Sequence, residues 1–154
     1  MPRKAQLLAQ IRAELRARLE RLSKAALEAH AAATDPGSKA EGKYDTRSLE
    51  ASYLAAGQAR QVDELAESVR IFETLVLPDY EMDDAIDAGA LVEAELNGNT
   101  VFFILVPASG GLVIEHDGME ITLLTPASGL YQKLLGMVRG ETLETPALTV
   151  TDIF

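Results

Sequence analysis

Leu8, Ile11, Leu15, Leu19, Leu22 and Ala26 recur at three- and four-residue steps between Lys4 and Ala33, a stretch without glycine or proline. That spacing puts one apolar stripe on one helix face, flanked by Arg12, Arg16, Glu20 and Lys24. The pattern breaks at Thr34-Asp35-Pro36-Gly37-Ser38, because proline lacks the amide hydrogen and glycine relaxes the backbone. A second stripe runs through Leu49, Tyr53, Ala56, Val62, Leu65, Val69, Phe72 and Val76 until Pro78 ends it. Residues 1–77 therefore read as an antiparallel helical hairpin, a coiled coil in which each helix covers the other's stripe, with its tip near residues 34–46. Thirty helical residues extend roughly 45 Å. A two-helix hairpin of that length has little core of its own, so its tip projects into solvent or into a partner.

Beyond Pro78-Asp79-Tyr80 the period shortens. Ala90 to Leu96 alternates, Asn97-Gly98-Asn99 reads as a hairpin turn, and Thr100 to Val106 is a more buried strand. Gly110-Gly111 and Asp117-Gly118 mark turns around strands at Leu112–Glu115 and Met119–Leu124. Ser128 to Leu135 reads as a short helix, and Leu148 to Ile153 as a closing strand. The expected fold class is α+β: the hairpin followed, over residues 78–154, by a small twisted sheet with one helix packed on it.

Charge divides the chain along the same line. Residues 1–77 sum to +1 and residues 78–154 to −11, with Lys133 and Arg139 the only bases of the second half. Such a surface repels phosphate backbones, which argues against direct DNA binding by this half and suits docking on a basic protein surface. The first 24 residues carry seven bases against two acids, including Lys4, a pattern read first as a solvated helix face. With no cysteine there is no disulfide or thiolate metal site. No apolar run approaches the ~20 residues of a membrane span, and no signal core follows Met1, so the expectation is a cytoplasmic protein. His30 and His116 lie far apart and match no zinc ligand spacing, and both read as solvated or loop histidines.

The run from Thr125 to Glu141 adds a family. Ser128, the Leu134-Leu135-Gly136 triplet and the Gly140-Glu141 step resemble the C-terminal domain of the bacterial Gre transcript-cleavage factors (the GreA/GreB family), with Gly129 standing where that family usually has proline. Glu50-Ala51-Ser52-Tyr53-Leu54-Ala55-Ala56 resembles the Tyr-x-Ala-Ala segment near the family's hairpin tip. The resemblance implies an FKBP-like C-terminal domain. It also implies a bacterial, probe-shaped transcription elongation factor that binds RNA polymerase and puts its hairpin into the secondary channel. Ser128, Gly129 and Leu130 correspond to the residues that grip the polymerase, and nascent RNA is met only inside it. The protein itself is expected to be a monomer and not an enzyme, because the polymerase does the cutting.

Tip carboxylates act, in such factors, by sharing a Mg²⁺ with the polymerase site, since hard cations take oxygen ligands and a second metal can orient the attacking water. On the Tyr-x-Ala-Ala register the family's tip Asp falls on Thr46 and its Glu on Leu49, with Asp45 and Glu50 one residue outside. Glu41, Asp45 and Glu50 are the candidate tip acids, and Glu41 and Asp45 the candidate partners of a shared Mg²⁺; no cofactor is intrinsic to the chain. Each acid also has a structural reading: Asp45 as an N-cap of the second helix and Glu50 as a charge complementing its dipole. The displaced acids keep open an alternative, a non-catalytic regulator that occupies the channel or competes with Gre factors. A plain coiled-coil interaction protein is the third reading. Prolyl isomerase activity would need an aromatic-lined pocket, and this half has no Trp and has Phe102 and Phe103 in a strand where at least one belongs to the core.

Overall fold

The computed structural model describes residues 4–34 and 47–154, with side chains at 4–31 and 55–154. The fold is α+β, with a pair of long helices, α1 (Lys4–Thr34) and α2 (Arg47–Thr74), ahead of a six-stranded sheet and one short helix. The chain divides into two compact units, Arg12–Arg70, and Met1–Ile11 together with Ile71–Phe154. The division falls inside both helices, whereas the sequence pattern placed a boundary at 77/78.

In the helical unit, Leu15 is buried while Leu19 and Leu22 are half-buried and Leu27 is exposed. Burial fades along α1 because two helices alone cannot enclose a stripe. Arg18, Arg21, Leu22 and Ala25 of α1 line one groove with Leu65 of α2. The start of α1 shares the other unit with the chain from Ile71. Ascending α1 thus matches descending α2, the antiparallel order. Exposed pairs such as Arg18–Glu14 at 2.9 Å trim the surface, and pairs of this kind contribute little to stability.

The second unit is built on β1 (Leu91–Leu96), β2 (Asn99–Leu105), β3 (Val113–His116), β4 (Met119–Leu124), β5 (Thr142–Leu143) and β6 (Leu148–Ile153), ordered β3-β4-β2-β1-β6-β5. All pairs are antiparallel except β2 with β4. Asn97 and Gly98, and again Asp117 and Gly118, take positive φ at the two hairpin turns, which matches the right-handed strand twist. The β1–β6 register shifts between Glu93 and Ala94, a bulge that leaves Thr151 as the extra residue of β6.

One sheet face carries the main core. Val92, Ala94, Phe103, Leu105, Leu124 and Val150 pack with Tyr131 and Leu134 of α3 (Gly129–Leu134) and with Ile86 and Met137. Positions of opposite parity, Leu91, Ile104, Ile114, Ile121 and Leu123, are buried as well, and in the same unit so are Leu7, Leu8, Ile11 and Phe72 from the helix ends. Burying each such side chain stabilises by about 1.5–3 kcal/mol. The first turns of α1 are tied to β3 by Gln10, whose amide donates to the Glu115 carbonyl and accepts from the His116 ring.

Most expected elements form within a residue or two of the pattern, and several details differ. α2 stops at Thr74, so Val76 lies outside the helix and is 81% exposed rather than on its stripe. The backbone ahead of Pro78 is pushed out of the helical region. Ala56 is exposed, and the two-residue β5 has no periodicity by which to be recognised. Lys4 is only 6% exposed, contrary to a solvated face, and His116 is buried at the end of β3 instead of lying in a solvated loop.

Candidate functional site

Ser128 stands at the start of α3 with φ −79° and ψ 132°, and its Oγ accepts from the Tyr131 amide at 3.5 Å. An oxygen there satisfies a helix-start donor that has no partner within the helix. The preceding turn is closed by the Ser128 amide donating to the Thr125 carbonyl at 2.8 Å. Gln132 Nε2 donates back to the Pro126 carbonyl at 2.9 Å. Ser128 is therefore an N-cap, and its position is fixed by its neighbours.

Gly129 is exposed, its φ is not in the left-handed region, and a Cβ added there would meet nothing within 4 Å. Nothing in the backbone requires glycine at this first helical position. Leu130 is half-buried and packs against the main core. Of the three residues matched to a polymerase grip, Gly129 faces open space, Ser128 holds the turn, and Leu130 anchors it.

Beside this turn lies a cleft of about 200 Å³ lined mainly by Val76, Leu105, Pro107, Pro126 and Tyr131. An acidic loop, residues 79–87, belongs to the same unit. The Glu81 amide donates to Asp84 Oδ2 at 2.8 Å, the Ala88 amide to Asp87 Oδ1 at 2.8 Å, and the Tyr80 hydroxyl to the Ala88 carbonyl at 2.6 Å. Ile86 exchanges backbone bonds with Met137 and Gly136, which anchors the loop to the end of α3. Burial, followed by the nearby Asp87, pushes the phenols of both Tyr80 and Tyr131 above their ordinary range. The two bases of this half are already engaged, Lys133 with the Thr145 carbonyl and Arg139 with Met82 Sδ. The surface can therefore offer carboxylates to a basic partner.

The candidate tip acids are not brought to this surface. Glu41 and Asp45 lie outside the described residues, and Glu50 falls in the first turn of α2 with its side chain outside them. Among the described residues no group of three His, Asp, Glu or Cys side chains is placed to hold a metal ion, and no helix is long and apolar enough to cross a membrane.

Sequence reasoning missed two polar residues of this unit. Lys4 Nζ donates to the Pro78 carbonyl and lies 4.9 Å from the Tyr80 ring centroid. Burial lowers its pKa to about 8, against a smaller opposing pull from Asp79. Nothing local in Arg3-Lys4-Ala5 signals burial. Gln10, one residue before the stripe position Ile11, is the other; a glutamine beside an apolar stripe was the only hint.

No family model matches the sequence, and no curated protein matches it. Among solved structures, GreA factor homolog 1 (Gfh1) of Thermus thermophilus is 23% identical, with 93% of this chain and 94% of that one covered and a TM-score of 0.36. Gfh1 of Thermus aquaticus is 21% identical over 91% of each chain, with a TM-score of 0.36. A further structure of the transcription factor Gfh1 is 21% identical over 92% of each, with a TM-score of 0.37. Over nine-tenths of its length, this chain is similar to a GreA-like factor.

Proposed function

We propose that this protein is a Gre-like transcription factor, which docks on RNA polymerase through its acidic C-terminal unit and places the tip of its helical hairpin in the secondary channel. The observation that carries this reading is the fixed start of α3. Ser128, Gly129 and Leu130 sit where the Gre resemblance puts the polymerase grip, on a turn closed by three hydrogen bonds and in a unit with strong negative charge. A preformed turn, exposed at Gly129, loses little freedom on binding. Its carboxylates favour encounter with a basic surface and disfavour nucleic acid.

Inside the channel the tip has two possible actions. With Glu41, Asp45 and Glu50 near a polymerase-held Mg²⁺, the tip would promote cleavage of backtracked RNA by the polymerase itself. The second action is occupancy without cleavage, which excludes nucleotides or true Gre factors. The register that puts Thr46 and Leu49 at the family's acid positions favours this second action.

The test is a stalled, backtracked complex of purified bacterial RNA polymerase given this protein and Mg²⁺, with 3′-labelled RNA followed on a gel. Shortened RNA identifies a cleavage factor, and intact RNA with measured binding identifies a channel-occupying regulator. Absence of binding to polymerase overturns both.

A further inference from the structure

His116 is 7% exposed, and its Nε2 has no hydrogen-bond partner among the described residues. Its other nitrogen is accounted for. Gln10 Nε2 donates to the Glu115 carbonyl, which turns Gln10 Oε1 toward His116 Nδ1 at 2.8 Å. An amide oxygen only accepts, so Nδ1 carries the hydrogen, and in the neutral ring the lone pair is on Nε2. Asp117 Oδ2 lies 3.5 Å from that nitrogen. Two acceptors therefore stand close together, one of them buried and unpartnered, and a buried acceptor without a partner costs about 1–3 kcal/mol.

We propose that His116 Nε2 and the Asp117 carboxylate form a two-ligand seat for a divalent transition-metal cation of the Zn²⁺ class. Two ligand atoms 3.5 Å apart, each about 2.0–2.1 Å from the ion, subtend close to the tetrahedral angle. An imidazole with a carboxylate selects Zn²⁺, Ni²⁺ or Cu²⁺ over Mg²⁺. The Nδ1–H to Gln10 bond is the outer-shell contact that orients a metal-bound histidine. Asp117 is 68% exposed, so the ion enters from the turn side, and with no third protein ligand among the described residues, water completes the coordination. Binding would draw electron density from the ring and strengthen the Nδ1–H bond to Gln10, tightening the tie between β3 and the first turns of α1.

The experiment titrates the full-length protein with ZnCl₂, and separately with MgCl₂, while the ring nitrogens of both histidines are followed by long-range ¹H–¹⁵N NMR. The expected result is a saturable shift of His116 Nε2 with Zn²⁺ and none with Mg²⁺. His116→Gln removes it, and Asp117→Asn weakens it by roughly tenfold or more. Asparagine keeps the turn, because it tolerates the positive φ of 51° at this position. A Zn²⁺-dependent rise in melting temperature that Asp117→Asn diminishes and His116→Gln abolishes is the second expected readout. An unmoved His116 ring, a shift confined to His30, or equal affinity in Asp117→Asn would each overturn the site and leave His116 and Asp117 as an ion pair formed only when the ring is protonated.

Discussion

The ammonium of Lys4 lies 4.9 Å from the ring centroid of Tyr80, 76 positions further along the chain, and is nearly sealed from solvent. Its Nζ donates to the Pro78 carbonyl, so one buried cation pins the first turn of α1 to the segment that leads into the sheet.

Burial of that cation makes stability depend on alkaline pH. Lys4 has a pKa of about 8 in the fold against 10.5 when free. Below pH 8 it is charged in both states and the desolvation penalty is fully present. Between 8 and 10.5 the unfolded chain binds more protons, so stability rises with pH. Tyr80 and Tyr131, whose phenols are raised by burial, act the other way and lose stabilisation once pH exceeds 10. The urea midpoint is therefore expected to climb from pH 8 toward 10 and then fall. Lys4→Met, which keeps the stem and removes the charge, is expected to flatten the climb.

Gly89 is expected to resist substitution. Its φ is +86°, and a Cβ there would stand 2.6 Å from Pro78 Cδ. Gly89→Ala combines a left-handed backbone with a clash against a ring that cannot swing away, and should cost about 1–3 kcal/mol. Chemical denaturation measures it directly.

Position 129 is expected to behave oppositely. With an open Cβ position at the first helical residue, Gly129→Pro should be neutral or stabilising by roughly 0.5–1 kcal/mol, by restricting the unfolded chain. Ser128→Ala removes the cap and should cost about 1 kcal/mol. If this turn grips polymerase, Gly129→Pro also binds it more tightly in a pull-down or fluorescence titration, and Ser128→Ala more weakly.

The candidate tip acids separate the two proposed actions. Alanine at Glu41, Asp45 and Glu50 together should leave polymerase binding within about threefold, because the proposed docking surface lies elsewhere, and abolish any cleavage of backtracked RNA. Unchanged cleavage in the triple variant would remove these acids from the mechanism.

Core substitution at Leu134, fully buried between α3 and the sheet, is expected to show how strongly the helix holds its unit. Leu134→Ala should cost about 2–5 kcal/mol by calorimetry or urea titration. It should reduce binding through loss of the α3 start rather than through any direct contact.

Periodicity and turn residues determined the types of the longer elements of this protein. Leu8, Ile11 and Leu15 at helical steps, the alternation of Val92 and Ala94, and the Asn97-Gly98 and Asp117-Gly118 turns each encode their conformation within a few residues. The cap of Ser128 on α3 is just as local, since capping is a contact between residues three apart. The tertiary structure decided what depends on distant neighbours. It buried Lys4 under Tyr80, joined Gln10 to His116 across 106 positions, and ran β2 parallel to β4 with β3 between them in sequence. It also exposed Val76, which its spacing had assigned to a stripe. Burial and partner choice are properties of which surfaces meet, and no local window of sequence contains both.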